Sequence, residues 1–331
     1  METSLRLIAA TADAQGHLMD ALTDHGVACH SQGKMVVVDG AIDRVRDALS
    51  GPEREAVSVV EDLEFPGEFP VTTRLEAWWS VFETSWFEKA VATDAFSVWF
   101  QPVVDTTARQ TIGHECLLRL TRGARREGAE ILQAAAARRD MRGFDAYTRQ
   151  LALRTISSQA QRDTLYFVNF IPSAVYRPEH CLREMLQTLR ETGLPARNIV
   201  MEAVESNHNP DIGHLKRIGD YLREQGLRFG LDDVGASAEA LRLMCELRPD
   251  YVKLEKRLVH RMDRPHEAAA VRKLVEVAER LNVRVVAKAV ESVPMVENLW
   301  MAGVQYMQGY LFGIPAPEIT GIESDGSGFV N

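Results

Sequence analysis

The chain lacks any apolar run close to the roughly 20 residues that a membrane-spanning helix needs. Its first ten residues hold a short apolar stretch and one basic residue, and the polar residues Thr11, Asp13 and Gln15 follow directly. Such a segment is too polar for a secretory signal peptide. We therefore expect no membrane segment and a cytoplasmic location.

Cysteine is also scarce, with 4 in 331 residues, and no two of them form a CxxC pair. This spacing does not resemble a zinc knuckle and favours a reduced cytoplasmic protein. Positive charge is in short supply too, because the formal net charge is −9. A bulk nucleic-acid-binding surface needs the opposite sign, so we expect no DNA partner. A small anionic ligand held by a few local cations remains compatible with this charge.

The chain is long enough for one large domain and one small one. Residues 1–64 predict a small α/β module, with strands at 5–9 and 34–38 and helices at 17–25 and 41–49. Nothing in this module carries obvious chemistry. It is either a sensor or docking domain, through which a protein partner would bind, or a structural appendage.

Residues 65–83 are interpreted as a linker followed by the start of an aromatic helix. The linker is indicated by the Pro and Gly content of residues 65–70. An amphipathic helix is predicted over 75–92, where aromatic residues recur at helical spacing. That spacing predicts a packed face rather than a ligand site. At the other end of the chain, residues 319–331 are expected to form a flexible tail.

From about Phe96 the pattern changes to short strands that alternate with helices. Strands are predicted at 97–104, 112–120, 165–170, 199–204, 227–232, 251–254, 283–290 and 304–311. Helices are predicted between several of them, at 181–192, 212–225 and 269–281. Such alternation indicates a parallel sheet, and about eight strand units favour a TIM-like (β/α)8 barrel.

Two adjacent carboxylates, Asp232 and Asp233, end one of these strands. Like charges side by side repel, and a cation between them relieves the repulsion. Other predicted strands end in or carry oxygen ligands: Glu115, Asn169, Glu202 and Glu205. In a barrel the C-terminal ends of the strands meet on one face, which would bring these groups close to Lys253. Hard oxygen ligands from several strands are typical of a divalent-metal site.

A series of motifs resembles the EAL domain, the cyclic di-GMP phosphodiesterase family. Residues 115–119, ECLLR, are similar to the signature EALLR. The other motifs follow in the family's order: QPVVD at 101–105, VN at 168–169, MEAVES at 201–206, LDDVG at 231–235, YVKLE at 251–255, AKAVES at 287–292 and QGYLF at 308–312. One motif alone is weak, but eight in order are specific. The resemblance covers residues 84–318.

The resemblance implies hydrolysis of cyclic di-GMP to the linear dinucleotide with two Mg²⁺ or Mn²⁺ ions. Metal-ligand positions fall on Glu115, Asn169, Glu202, Asp232 and Asp233. Catalytic positions fall on Lys253, which would contact the attacking water, and on Glu291. Positions that bind the nucleotide fall on Gln101, Leu117, Arg119, Asp232, Gln308, Gly313 and Pro315. Arg119 would grip a phosphate through its fork of N–H donors.

The chain departs from the family most sharply at Lys288, where the family has a glutamate that supports the metal and water centre. Two unit charges 4 Å apart interact by about 4 kcal/mol at an effective dielectric of 20. An ammonium beside two dications would therefore empty one metal position, or lose its proton, unless it points away into solvent. The loop after Asp233 also differs, with Ser237 in place of a flexible glycine and a new charge at Glu239.

Three functions follow from this combination. The first is a cyclic di-GMP receptor in which hydrolysis is weak or lost, with one metal ion or none. In its sharper form, the Lys288 ammonium replaces one metal among Glu202, Asp233 and their neighbours. The second is an active metal-dependent phosphodiesterase. The third is a protein-interaction module without nucleotide binding. The family commonly dimerises through the helix after Asp233, so a homodimer is a further expectation.

Overall fold

A computed structural model describes residues 4–40, 42–60, 72–75, 79, 83–121, 126, 128–138, 140–161, 163–204 and 211–320. The chain divides into two compact units, residues 1–89 with 136–138 and the remainder. Among the described helices, none has the length and apolar character needed to cross a bilayer.

The N-terminal unit contains an antiparallel sheet in the order β2-β3-β1-β4-β5. Its elements are β1 (Ser4–Ala9), α1 (Ala12–Asp24), β2 (Cys29–Gln32), β3 (Met35–Asp39), α2 (Ile42–Ala48), α3 (Gly51–Ala56), β4 (Val57–Val60) and β5 (Thr72–Arg74). The two predicted strands and two predicted helices are present. Sequence reasoning missed β2, β4, β5 and α3, because a short half-buried strand carries little periodicity.

Part of the predicted linker and aromatic helix lies outside the described residues. The helix α4 spans Ser85–Ala92. Upstream of it, Trp79 is buried and packs with Leu75 in the core of the N-terminal unit. The aromatic Trp79 therefore packs in an apolar core, as its helical spacing predicted.

The second unit is a closed barrel of eight strands. The strands are β6 (Phe96–Asp105), β7 (Gln110–Leu120), β8 (Leu165–Phe170), β9 (Ile199–Ala203), β10 (Arg228–Val234), β11 (Tyr251–Leu254), β12 (Arg284–Ala287) and β13 (Tyr306–Gln308). They neighbour each other in chain order, and β13 closes the ring on β6. The predicted barrel and its eight strands are confirmed, with small shifts at strand ends.

One strand of the barrel does not follow the predicted parallel arrangement. β6 runs antiparallel to both of its neighbours, β7 and β13. Residues 106–109 join β6 to β7, and such a short connection forms a hairpin, because a parallel crossover needs about a dozen residues. Asp105 Oδ1 fixes this turn by accepting hydrogen bonds from the backbone N–H groups of Thr107 and Ala108, both at 2.9 Å.

Helices separate most of the remaining strands. They are α5 (Gly128–Ala137), α6 (Met141–Gln159), α7 (Pro178–Cys181), α8 (Arg183–Thr192), α9 (Ile212–Glu224), α10 (Ala238–Leu247), α11 (Lys256–Val259), α12 (Pro265–Leu281) and α13 (Val293–Met301). The helix predicted at 181–192 is two helices, α7 and α8. The buried faces of α6 and α8 to α13 pack on the outside of the barrel in one continuous apolar core.

The lower interior of the barrel is filled by one layer of apolar side chains. Val103, Phe167, Val200, Tyr251 and Val286 form a separate buried cluster. The rings of Phe167 and Tyr251 meet edge to face with centroids 5.2 Å apart. This layer closes the barrel from below, so any ligand must enter from the C-terminal ends of the strands.

The end of the chain is attached to the barrel as far as it is described. His114 Nε2 donates a hydrogen bond to the Thr320 carbonyl at 2.8 Å, and the Ile319 N–H donates to Gln159 Oε1 at 3.0 Å. The first two residues of the predicted flexible tail are thus hydrogen-bonded, and 321–331 lie outside the described residues.

Candidate active site

A layer of polar side chains lies directly above the apolar layer. Strand side chains alternate between two faces, so residues two positions apart point the same way. Asn169, Glu202 and Lys253 follow Phe167, Val200 and Tyr251 by two positions. Gln101 precedes Val103 by two, because β6 runs in the opposite direction. The same alternation of side chains along the strands therefore forms both the apolar layer that closes the barrel and the polar layer above it.

Lys253 is the centre of this polar layer. Its Nζ lies 2.8 Å from Glu115 Oε2 and 2.6 Å from Glu202 Oε2, and the side chains of Lys253 and Glu202 are fully buried. The ammonium also lies 5.0 Å from the centroid of the Phe167 ring, over its face. Two carboxylates and an aromatic face thus compensate the desolvation of one buried cation.

Amide side chains extend the network from Glu115 toward the rim. Asn169 Nδ2 donates to Glu115 Oε1 at 3.0 Å, and Gln308 Nε2 donates to Glu115 Oε2 at 2.7 Å and to Gln101 Oε1 at 3.0 Å. Gln101 Nε2 donates in turn to the carbonyl of Gly313 at 3.1 Å. A side chain at position 313 would come within 2.7 Å of Pro102, which accounts for the glycine there.

The two carboxylates that share Lys253 differ in acidity. Burial opposes the ionisation of Glu115, but the Lys253 charge and the hydrogen bonds from Lys253, Asn169 and Gln308 lower its pKa to about 2. Burial raises the pKa of Glu202 to about 8, since Lys253 is its one hydrogen-bond donor among the described residues and the charges of Asp232 and Glu115 repel its anion. Glu115 is therefore the more acidic of the two carboxylates that share Lys253, and Glu202 holds a proton to a higher pH than an ordinary glutamate.

Lys288 forms a second ion-pair centre with the adjacent carboxylates. Its Nζ lies 2.7 Å from Asp232 Oδ1 and 2.7 Å from Asp233 Oδ1. Burial alone would lower the pKa of Lys288, but these two carboxylates raise it above its ordinary value. The ammonium points toward these two acids, which contradicts the expectation that the side chain reaches into solvent. Glu202, which was also expected near Lys288, is paired with Lys253 instead.

A bulge allows two adjacent residues to face the same ammonium. In a regular strand Asp232 and Asp233 would point to opposite faces. The pairing of β10 with β11 shifts register between Leu231 and Val234, and Asp233 has a left-handed φ of 52°. Ala289, next to Lys288, has a left-handed φ of 57°, and His260 Nε2 donates to its carbonyl at 3.0 Å. Local backbone distortion in β10 and just after the end of β12 thus positions the ion pairs.

A cavity of about 340 Å³ opens beside the C-terminal ends of β7 and β8. Leu117, Arg119 and Asn169 line it together with mainly apolar side chains. Arg119 donates one hydrogen bond, from Nη1 to the Leu118 carbonyl at 2.9 Å, while its buried Nε has no hydrogen-bond partner among the described residues. The guanidinium therefore retains donor capacity for an anion.

The profile of the EAL domain matches residues 84–315, which include every strand of the barrel. The chain belongs to the EAL domain family. The resemblance noted from motifs is confirmed by a match that covers well over half of the chain. The N-terminal unit lies almost entirely outside this match.

Two curated EAL relatives illustrate the level of similarity. The chain is 26% identical over 226 residues to the probable cyclic di-GMP phosphodiesterase PdeI of Escherichia coli, covering 66% of this chain and 28% of that protein. It is 31% identical over 135 residues to the cyclic di-GMP phosphodiesterase RocR of Pseudomonas aeruginosa, covering 39% of this chain and 33% of that protein. The chain thus spans about a third or less of the length of these relatives.

Solved EAL structures share the fold. A standalone EAL protein of Vibrio cholerae in its c-di-GMP-bound form has a TM-score of 0.59 and 26% identity, covering 68% of this chain and 94% of that one. The FimX EAL domain of Xanthomonas citri, in complex with c-di-GMP, has a TM-score of 0.64 and 18% identity, covering 74% of this chain and 97% of that one. The second likeness supports the fold alone.

The EAL barrel brings most of the predicted site residues together. Hydrogen bonds and ion pairs link Gln101, Glu115, Asn169, Glu202, Lys253, Gln308 and Gly313, and a second group links Asp232, Asp233 and Lys288. Glu291 is instead about half-exposed and lies 3.7 Å from Lys256 and from His260. Pro315 is half-buried. Its neighbour Ala316 forms backbone hydrogen bonds with Phe100 in an isolated antiparallel β-bridge. Glu205 lies outside the described residues.

The loop after Asp233 has become the cap of a helix. Ser237 Oγ accepts a hydrogen bond from the Ala240 N–H at 3.1 Å and starts α10 with a φ of −84°. Serine is a preferred residue at this position. The substitution that removed a flexible glycine therefore gives a fixed helix start directly beside the carboxylate pair.

The two metal positions implied by the family fit this chain unequally. Asn169 Oδ1 and Glu202 Oε1 are buried oxygens without a hydrogen-bond partner among the described residues, and with Glu115 they are suitable donors for one divalent cation. Asp232 and Asp233 are different, because the Lys288 ammonium already contacts both at 2.7 Å. The first position therefore fits a metal only through the buried oxygens that Lys253 does not contact, and at the second position the two acids already hold Lys288.

The opposite pKa shifts of Glu115 and Glu202 predict the pH dependence of stability. The pKa of Glu202 is raised from 4.5, so its contribution to stability is present below pH 4.5 and is lost as the pH rises through about 8. The pKa of Glu115 is lowered, so its contribution is present above pH 4.5 and is lost as the pH falls toward 2. We expect Glu202→Gln to become more stable relative to the native protein as the pH rises from 5 to 8. Denaturant unfolding across this range measures the difference, and parallel curves for the two proteins would contradict it.

Proposed function

We propose that this chain is a cyclic di-GMP receptor in which hydrolysis is weak or lost. The observation that carries the proposal is the contact of Lys288 Nζ with both Asp232 and Asp233. These carboxylates match positions where the family holds a metal ion. An ammonium at that place offsets one of the two negative charges but offers no coordination position for a water or an oxygen, because it is a hydrogen-bond donor only.

Hydrolysis needs more than charge neutralisation. When two metal ions are bound, they lower the pKa of a water and stabilise both the attacking and the leaving oxygen. Lys288 provides neither an open coordination position nor a metal-bound water. Lys253, which would contact the attacking water, is also committed to Glu115 and Glu202 within 2.8 Å. The groups that remain can position a phosphodiester but are poorly suited to cleaving it.

Ligand binding depends on a different part of the site, which is retained. The chain from Gln308 through Gln101 to the Gly313 carbonyl fixes the rim by hydrogen bonds of 3.0 and 3.1 Å. Arg119 lines the adjacent cavity, and its Nε has no hydrogen-bond partner in the part of the chain that the structure describes. The names of several relatives and solved EAL structures include cyclic di-GMP, which supports the same ligand class here.

An active phosphodiesterase is the second candidate, and one observation favours it. Asn169 Oδ1 and Glu202 Oε1, buried and without a partner within the described ranges, are suited to one metal ion. With Mg²⁺ or Mn²⁺ at that position alone, hydrolysis would be slow, because the second cation of the two-metal arrangement is replaced by Lys288.

Binding and turnover measured on the same native protein separate the two candidates. We expect calorimetry to show cyclic di-GMP binding, and chromatography to show little linear dinucleotide with Mg²⁺ or Mn²⁺, well below the roughly 1 s⁻¹ low end of typical enzymes. Turnover within the ordinary enzyme range would contradict the receptor. Absence of binding at high ligand concentration would contradict both and favour an interaction module.

A further inference from the structure

The Lys288 ammonium has one N–H that its two carboxylates do not use. An ammonium carries three donors, and Asp232 and Asp233 each take one, at 2.7 Å. We propose that the third N–H donates to a phosphate oxygen of cyclic di-GMP, so that Lys288 is a direct ligand contact and binding needs no metal at this position. This inference rests on the proposed receptor function, and goes beyond it by naming the atom that binds the phosphate.

The exposure of Lys253 and Lys288 decides which of these two lysines is suited to this contact. The Lys253 side chain is completely buried, whereas that of Lys288 is 20% exposed. Lys288 follows the end of β12, on the face where the strands terminate. Of the two, Lys288 is therefore the ammonium that a ligand entering from above can reach.

The charge of the site explains why such a contact matters. Four carboxylates contact two ammonium groups, so the formal charge of the cluster is negative. A phosphodiester anion is repelled by such a cluster unless a donor meets it directly. Hydrogen bonds between an ammonium and a phosphate are among the strong ones. Lys288 and Arg119 are the cations placed to provide them.

The position of the ammonium is set before a ligand arrives. Two carboxylates hold Nζ, Asp233 and Ala289 both have left-handed backbone conformations, and His260 hydrogen-bonds the Ala289 carbonyl. A lysine side chain that is already ordered loses little further entropy on binding. The metal position is thus occupied by a cation that belongs to the chain and keeps one donor for the ligand.

The test must separate two roles of Lys288: a direct hydrogen bond to the phosphate, and a reduction of the negative charge of Asp232 and Asp233. Lys288→Met alone does not, because it also leaves Asp232 and Asp233 unpaired and repulsive. We therefore compare Asp232→Asn/Asp233→Asn with and without Lys288→Met, measuring the Kd for cyclic di-GMP by calorimetry in excess EDTA. Lys256→Met is the control for loss of one positive charge, because Lys256 is 63% exposed and lies 3.7 Å from Glu291.

We expect native binding to survive EDTA, and Lys288→Met to weaken binding about tenfold or more in the amide background, with Lys256→Met unchanged. Equal affinity with and without Lys288→Met in that background would show that Lys288 only neutralises the acids, and would overturn the inference. Binding that needs Mg²⁺ would also overturn it while leaving the receptor intact. No binding with or without Mg²⁺ would overturn the receptor and the inference together.

Discussion

Lys253→Met should destabilise the protein by about 3–5 kcal/mol at pH 8, which is the usual cost of removing one partner from a buried ion pair. The substitution leaves Glu115 and Glu202 facing each other without the cation that lies 2.8 and 2.6 Å from them. Both carboxylates are buried, so neither regains water in the folded state. Chemical denaturation of the native and variant proteins measures the loss.

The pH dependence of this loss identifies its cause. At pH 5 the variant can protonate its two carboxylates more easily than at pH 8, so the deficit should shrink as the pH falls. Adding Glu115→Gln and Glu202→Gln to Lys253→Met should recover much of the stability, because no buried charge then lacks a partner. The exposed Lys256→Met should change stability by less than about 0.5 kcal/mol. A Lys253→Met deficit that is equal at both pH values would contradict the electrostatic explanation.

The polar layer could be predicted because it follows from strand alternation. Phe167 and Asn169, Val200 and Glu202, and Tyr251 and Lys253 repeat one pattern, an apolar residue with a polar one two positions later. Once a barrel is inferred, this period of two places the polar side chains in the barrel interior, above the apolar layer and toward the C-terminal ends of the strands. The sequence was therefore enough to assemble the metal-ligand and lysine positions on one face.

The geometry of the ion pairs could not be predicted, because it depends on backbone distortion. Nothing in the residues Asp232 and Asp233 indicates that a bulge turns both toward Lys288. A signal for the other strand existed at Ala289, which stands where the resembling motif has glycine and which retains a left-handed φ of 57°. Glu291 was placed in the site by motif order alone, and the turn after β12 directs it toward Lys256 and His260 instead.

Lys288→Glu is expected to produce metal-dependent hydrolysis of cyclic di-GMP, about a hundredfold or more above the native protein. The change removes the ammonium that contacts Asp232 and Asp233 and supplies the carboxylate that the family carries at this position. Three clustered carboxylates then favour a divalent cation, which provides the second ion of the two-metal arrangement. Groups that stabilise transition-state charge are typically worth two to three orders of magnitude in rate. Linear dinucleotide formation with Mn²⁺ measures the gain.

Thermal unfolding shows directly whether Lys288→Glu restores a metal-binding position, because it does not depend on turnover. Without metal the Lys288→Glu variant carries three mutually repelling carboxylates, so its Tm should be lower than that of the native protein in EDTA. Mg²⁺ binds the folded state and should raise the Tm of the variant by mass action, but the native Tm much less. Lys288→Met is the matched control, because it removes the ammonium without adding a third carboxylate. Its Tm in EDTA should lie between the Tm of the native protein and that of Lys288→Glu. If Lys288→Glu shows neither the Mg²⁺-dependent rise nor turnover, then Lys288 is not what blocks hydrolysis, and the capped loop that begins α10 at Ser237 becomes the feature to restore.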